Sequence, residues 1–94
     1  MLGLLIWGLI AAAAVVTICV VVDWLSESTA EEEIKKAAHQ EDKFGYVQAV
    51  IDSANGNVAK FSLSKGGSKF ADLHINYGSK SSNIYAGKSM SVYA

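Results

Sequence analysis

The sequence contains no proline and no arginine, a single cysteine, Cys19, and two histidines, His39 and His74. One cysteine forbids an intrachain disulfide, so the staple that small secreted domains usually carry is missing, and the redox compartment is left undecided. Without arginine, and with a formal net charge of −1, the chain lacks the clustered cations that phosphate recognition uses, which argues against nucleic-acid binding. Without proline no loop is stiffened by a fixed φ. Charged residues are scarce at 18%, against 51% hydrophobic ones; this excludes disorder throughout and raises the question of where the apolar surface goes. A length of 94 residues suffices for one small domain and an attachment, not for the large core of a multi-substrate enzyme.

Most of the apolar surface is at the start. From Met1 to Val22 no side chain is ionisable, and only Thr17 and Cys19 are weakly polar. At about 1.5 Å per residue such a stretch, if helical, reaches roughly 33 Å, which matches a hydrocarbon core of about 30 Å. The pattern predicts a single transmembrane helix within residues 1–25, ended by Asp23, with Trp7 and Trp24 as membrane-interface residues. A cleavable signal peptide fits less well: there is no positive n-region, and cleavage within Ala11–Ala14 leaves the apolar run Val15–Val22 on the product. Lipid attachment at Cys19 is opposed by Ile18, where a small residue is expected. Gly8, Ala12, Val15 and Cys19 fall at helical spacing and form a candidate helix–helix contact. Lys35 and Lys36 follow the span within about 15 residues, so the positive-inside rule places the C-terminal domain in the cytoplasm.

Residues 26–43 read as a charged helical stalk. From Asp23 to Lys43 seven acidic residues stand against three lysines, a balance of −4. Ser28 or Thr29 is the expected cap, with Glu31 or Glu32 completing a capping box and Glu31–Lys35 and Glu32–Lys36 as i,i+4 pairs. Ala30, Ile34, Ala37 and Ala38 mark one face, able to lie against the domain that follows.

Beyond Phe44 the hydrophobic period shifts to two and Gly and Ser punctuate the chain, so residues 44–94 read as a small all-β domain: a five-stranded meander or a partly open barrel of the SH3 or OB kind. Val47, Ala49 and Ile51 make one row, and Ala59, Phe61 and Leu63 another. A two-residue Asn55-Gly56 turn would send one of these rows to the wrong face. The sequence therefore predicts a three-residue loop, Ala54 to Gly56, pairing Ile51 with Ala59, Ala49 with Phe61 and Val47 with Leu63. Ala71, Leu73, Ile75 and Tyr77 continue the row after a turn at Gly66 to Ser68. Ile84 to Ala86 is the expected fourth strand, and Met90 with Val92 the fifth. About a dozen core side chains, several of them alanine, need further cover from the stalk, a membrane surface or another copy. The balance of +3 from five lysines and two aspartates opposes that of the stalk, and Lys65, Lys69, Lys80 and Lys88 lie in or beside turns.

No catalytic, cofactor-binding or metal site is legible. Ala86-Gly87-Lys88-Ser89 has Ser82 where a phosphate loop needs Gly. His74, flanked by Asp72 and Asn76 on the outward face, has no second His or Cys at ligand spacing. Asp52 to Asn57 fails the calcium-loop pattern at Ala54, and no nucleophile–base pair can be assembled. Phe70, Tyr85 and Tyr93 are candidate exposed aromatics for a partner surface, too few for a nucleic-acid platform.

The expected function is therefore non-enzymatic: a single-pass membrane-anchored protein whose β-domain serves protein interaction or self-assembly at the bilayer surface, with a protein partner or second copy and no small-molecule substrate. The alternative is an accessory subunit of an envelope, secretion or virion assembly, with the domain outside. One span, a stalk and a small barrel with Gly45, Gly56, Gly87, Met90 and Val92 resemble the layout of short membrane-anchored OB proteins of the NfeD type; the resemblance implies stomatin-like membrane partners.

Overall fold

In the computed structural model, which describes residues 15–78 and 84–94, Val16–Val22 form a β-strand, β1. Seven of the eight residues from Val15 to Val22 are β-branched, which favours an extended backbone and disfavours a helix. The continuous transmembrane rod expected from Met1 to Val22 is thereby overturned. Among the described residues no helix is long and apolar enough to cross a membrane, so the single-pass placement and the cytoplasmic orientation drawn from Lys35 and Lys36 lose their basis. The layout that resembled the NfeD type goes with them.

After β1, helix α1 runs over Glu27–Gln40 and is capped by Ser26, whose hydroxyl accepts from the Thr29 N–H at 3.2 Å. The cap lies a little ahead of the expected Ser28 or Thr29, and the ion pair formed on the helix is Lys36–Glu33 at 3.4 Å. At the other end the Lys43 N–H donates to the Ala38 carbonyl at 2.8 Å and that of Asp42 to His39 at 3.1 Å. Asp42 holds φ +56°. This is a Schellman ending with Asp in the left-handed position where glycine is usual.

Four antiparallel-paired strands follow: β2 (Tyr46–Asn55), β3 (Val58–Lys65), β4 (Ser68–Tyr77) and β5 (Ser89–Tyr93). With β1 they make one sheet in the order β1-β4-β3-β2-β5, in which β1 runs parallel to β4. The small β domain stands as expected, but the meander does not. Its outer members are β1, supplied from ahead of the helix, and β5, which returns to pair with β2 rather than extending beyond β4. Ile84 to Ala86 form no strand; Ile84 is buried at the start of a turn through Ala86 and Gly87.

Register is set by bulges. The β2–β3 turn consists of two residues, Gly56 and Asn57, between the pair Asn55–Val58, with φ +61° at Gly56. That turn alone has the parity fault foreseen for a two-residue loop, and the fault is corrected at Asp52, where a bulge shifts the pairing so that Ile51 faces Phe61 and Ala49 faces Leu63. The expected three-residue loop is thus replaced by a tight turn plus one extra strand residue. A second bulge follows the turn at Gly66 and Gly67, which have φ +59° and +82° as a type I′ turn requires. Leu63 pairs with Ala71 but Ser64 with Lys69, leaving Phe70 as the extra residue. Phe70 is turned inward and buried, so it is not one of the exposed aromatics.

The inner face of the sheet carries Val47, Ala49, Ile51, Ala59, Phe61, Leu63, Ala71, Leu73, Ile75, Met90 and Val92, all buried. Helix α1 closes it with Ala30, Ile34, Ala37 and Ala38, and Leu25 joins the same core. The helix packs on β4 and β5, its alanines allowing close approach. It is a layer of the domain rather than a stalk apart from it.

Candidate functional site

Among the described residues no three His, Cys, Asp or Glu side chains come together as metal ligands would. Trp7, Gly8, Ala12, Lys80 and Ser82 lie outside the described residues. Trp24 is half exposed in the link between β1 and α1, and Val15 and Cys19 lie on the outward side of an extended segment. Among the described residues, the outer face of the sheet and its two edges offer groups able to act on another molecule.

The outer face brings together residues far apart in sequence. Cys19 stands in register with His74, and His74 with Lys60, so a thiol, an imidazole and an ammonium line up across β1, β4 and β3. In sequence His74 stands isolated, because its neighbour Cys19 lies in a segment whose composition reads as a membrane helix. Beside them Ser62 Oγ donates to Asp52 Oδ2 at 2.5 Å, and Lys69 Nζ lies 2.7 Å from Asp72 Oδ1. The hydrogen bond to Asp72 holds the Lys69 ammonium above the ordinary lysine range.

At the first edge, the backbone bonds determine which groups of β1 are free. Gly78 N–H donates to the Val22 carbonyl at 3.1 Å, and Val22 sits opposite Tyr77. In a parallel pair this parity turns the N–H and C=O of Val16, Ile18, Val20 and Val22 towards β4. Those of Thr17, Cys19 and Val21 point outward from the sheet. Among the described residues no charge, proline or bulge blunts this edge, and Val21 is 81% exposed, which is the composition of a strand open to pairing.

At the second edge, Gly45 and Ala94 exchange both backbone bonds, at 3.0 and 2.8 Å, and Ile51 N–H donates to the Lys88 carbonyl at 2.8 Å. Alternation along the antiparallel ladder turns the carbonyl of Lys88 and the backbone groups of Met90, Val92 and Ala94 to β2, while the Lys88 N–H donates to the Tyr85 carbonyl at 3.2 Å, and leaves the backbone groups of Ser89, Ser91 and Tyr93 facing outward. Here the open edge runs beside the helix. A groove of about 400 Å³ lies between them, lined by Ser28, Glu31, Glu32 and Lys35 from α1 and by Ser91, Val92 and Tyr93 from β5. Ahead of β5, Lys88 Nζ pairs with Glu27 of α1, 2.5 Å away. On the outer side Tyr93 meets Tyr46 edge to face at 5.0 Å, and Gln48 donates to Ser91 Oγ at 3.1 Å. Tyr85 and Tyr93 are exposed, as are Phe44 and Tyr46; that Tyr46 stands across from Tyr93 follows from register, and Phe44, ahead of β2, meets His39 of α1 at 5.1 Å, neither of which strand alternation reveals.

No protein-family model, no curated protein and no solved structure matches the chain.

Proposed function

We propose that the protein is a non-enzymatic self-assembly module in which two copies join through β1. The observation that carries this reading is the β1 edge, which among the described residues has no strand beyond it and carries no charge, with the backbone groups of Thr17, Cys19 and Val21 directed outward. Antiparallel pairing of β1 with β1 of a second copy generates a two-fold interface, and only a register centred on Cys19 uses all three free residues: Thr17 against Val21, Cys19 against Cys19, Val21 against Thr17. The two-fold axis stands perpendicular to the sheet, so the half-covered rows Val16, Ile18, Val20 and Val22 of the two copies come side by side and shield one another. No charge opposes the approach.

The register makes a sharp test available through the single cysteine. A bonded antiparallel pair holds its Cα atoms about 5.5 Å apart, within the range a disulfide spans. Mild oxidation of the full chain with an added thiol oxidant is expected to give a covalent dimer through Cys19, and sedimentation of the reduced protein a concentration-dependent dimer. Val21→Lys puts a charge on the exposed side of the edge without touching the core, and is expected to leave a monomer that no longer cross-links. A reduced wild type that stays monomeric at every concentration, or a Val21→Lys variant that dimerises as well as the parent, would sink the proposal.

A further inference from the structure

We infer that the groove between α1 and β5 is a second and different interaction site, which takes an extended, basic peptide segment of a partner protein as a sixth strand. This goes beyond the pairing of copies through β1, because the two sites lie on opposite edges of the sheet. Three observations define the occupant. Ser89, Ser91 and Tyr93 offer N–H and C=O groups at every second residue of β5, the ladder that an incoming strand of about five residues completes. Along such a strand, the residues opposite Ser89, Ser91 and Tyr93 turn their side chains to the outer face, and those opposite Met90 and Val92 turn theirs towards the helix. The helical wall they meet carries Glu31, Glu32 and Lys35 with Ser28, a net charge of −1. The other helix carboxylates nearby are engaged, Glu27 with Lys88 and Glu33 with Lys36.

A side chain opposite Val92 therefore needs an apolar stem to lie against Val92 and a cationic head to reach Glu31 and Glu32. Lysine or arginine has that form. A second copy using its own β5 is disfavoured: antiparallel pairing of β5 with itself keeps both helices on one face of the joined sheet and brings Glu31 and Glu32 of the two copies towards each other. The occupant is thus a foreign strand with basic residues at alternate positions. Shape, backbone chemistry and charge agree on it.

The experiment uses the full-length protein with two capped heptapeptides, Ser-Arg-Val-Arg-Val-Arg-Ser and its counterpart with glutamate in place of arginine. Binding is read by fluorescence anisotropy, and the site by amide shifts in 1H–15N spectra. The arginine peptide is expected to bind, to move the Ser89, Ser91 and Tyr93 amides and to lose affinity as salt rises. The double change Glu31→Lys with Glu32→Lys, on exposed helix positions, is expected to weaken it by about tenfold or more and to raise affinity for the glutamate peptide. Ser91→Pro removes an N–H that points only at the ligand, a substitution an edge strand accepts, and is expected to abolish binding of both. Val21→Lys at the far edge is expected to leave peptide affinity unchanged, so this site and the dimer stand or fall separately. Equal affinity for the two peptides, binding that survives Ser91→Pro, no binding of the arginine peptide at millimolar concentration, or β5 amide shifts that follow protein rather than peptide concentration would each overturn the inference.

Discussion

Asp42 shows how much one residue decides. It ends α1 in the left-handed region, at φ +56°, where a side chain with a Cβ costs about 1–2 kcal/mol. Glycine removes that cost but gains conformational freedom in the unfolded chain, about 0.5–1 kcal/mol. Asp42→Gly is therefore expected to stabilise the domain by about 0.5–1 kcal/mol, raising Tm by a few degrees in a thermal melt. Tyr77 acts at the same scale in the opposite sense. Its hydroxyl donates to the Gly56 carbonyl at 3.0 Å while its own carbonyl accepts from Asn57 Nδ2 at 2.9 Å, tying the β2–β3 turn to the end of β4. None of this was legible in sequence, because Asp42 carries no mark of a helix end and Tyr77 reads simply as the last residue of a buried row. Cys19 and His74 show the same limit, since register across β1 and β4 is what makes them neighbours.

At the scale of the elements, the helix and the inward rows of the strands were legible where their periodicity is strong, but the pairing was not: Ile51 was expected opposite Ala59 and Ala49 opposite Phe61, and each faces a residue two further along β3. Ala30, Ile34, Ala37 and Ala38 fall on one helical face by spacing alone, and all four are buried. The inward rows of β2, β3 and β4 follow from alternation, which bulges at Asp52 and Phe70 preserve. The bulges themselves were not legible, since an extra strand residue leaves no compositional sign. The first element was misread because a length criterion counts apolar residues without asking whether they are β-branched. Ile34, wholly buried between helix and sheet, tests the attachment of α1. Ile34→Ala is expected to cost about 2–5 kcal/mol, visible as a lower midpoint in urea with the slope nearly unchanged. A helix standing clear of the sheet would lose almost nothing.

At the scale of the whole molecule, the sheet order places β3 at the centre and exposes β1 and β5 as edges of unlike character, one aliphatic and uncharged, the other beside an acidic helix. Hydrogen exchange separates them. Amides of β3, bonded on both sides and carrying the buried Phe61, are expected to exchange slowest. Those of Thr17, Cys19 and Val21 should slow as protein concentration rises, and those of Ser89, Ser91 and Tyr93 should remain fast until the basic peptide is added. Uniform protection at all concentrations, or slowing of β5 with protein concentration, contradicts the assignment of the edges. By itself the sequence determined the amphipathic face of α1 and the inward-facing rows of β2 to β5, because each depends on periodicity within a short window. Tertiary structure alone decided that the apolar run at Val16–Val22 is a strand beside β4, that β5 returns to β2, and hence which backbone groups are left open. Those are pairings between segments some fifty residues apart, and their free energy resides in contacts that no local pattern contains.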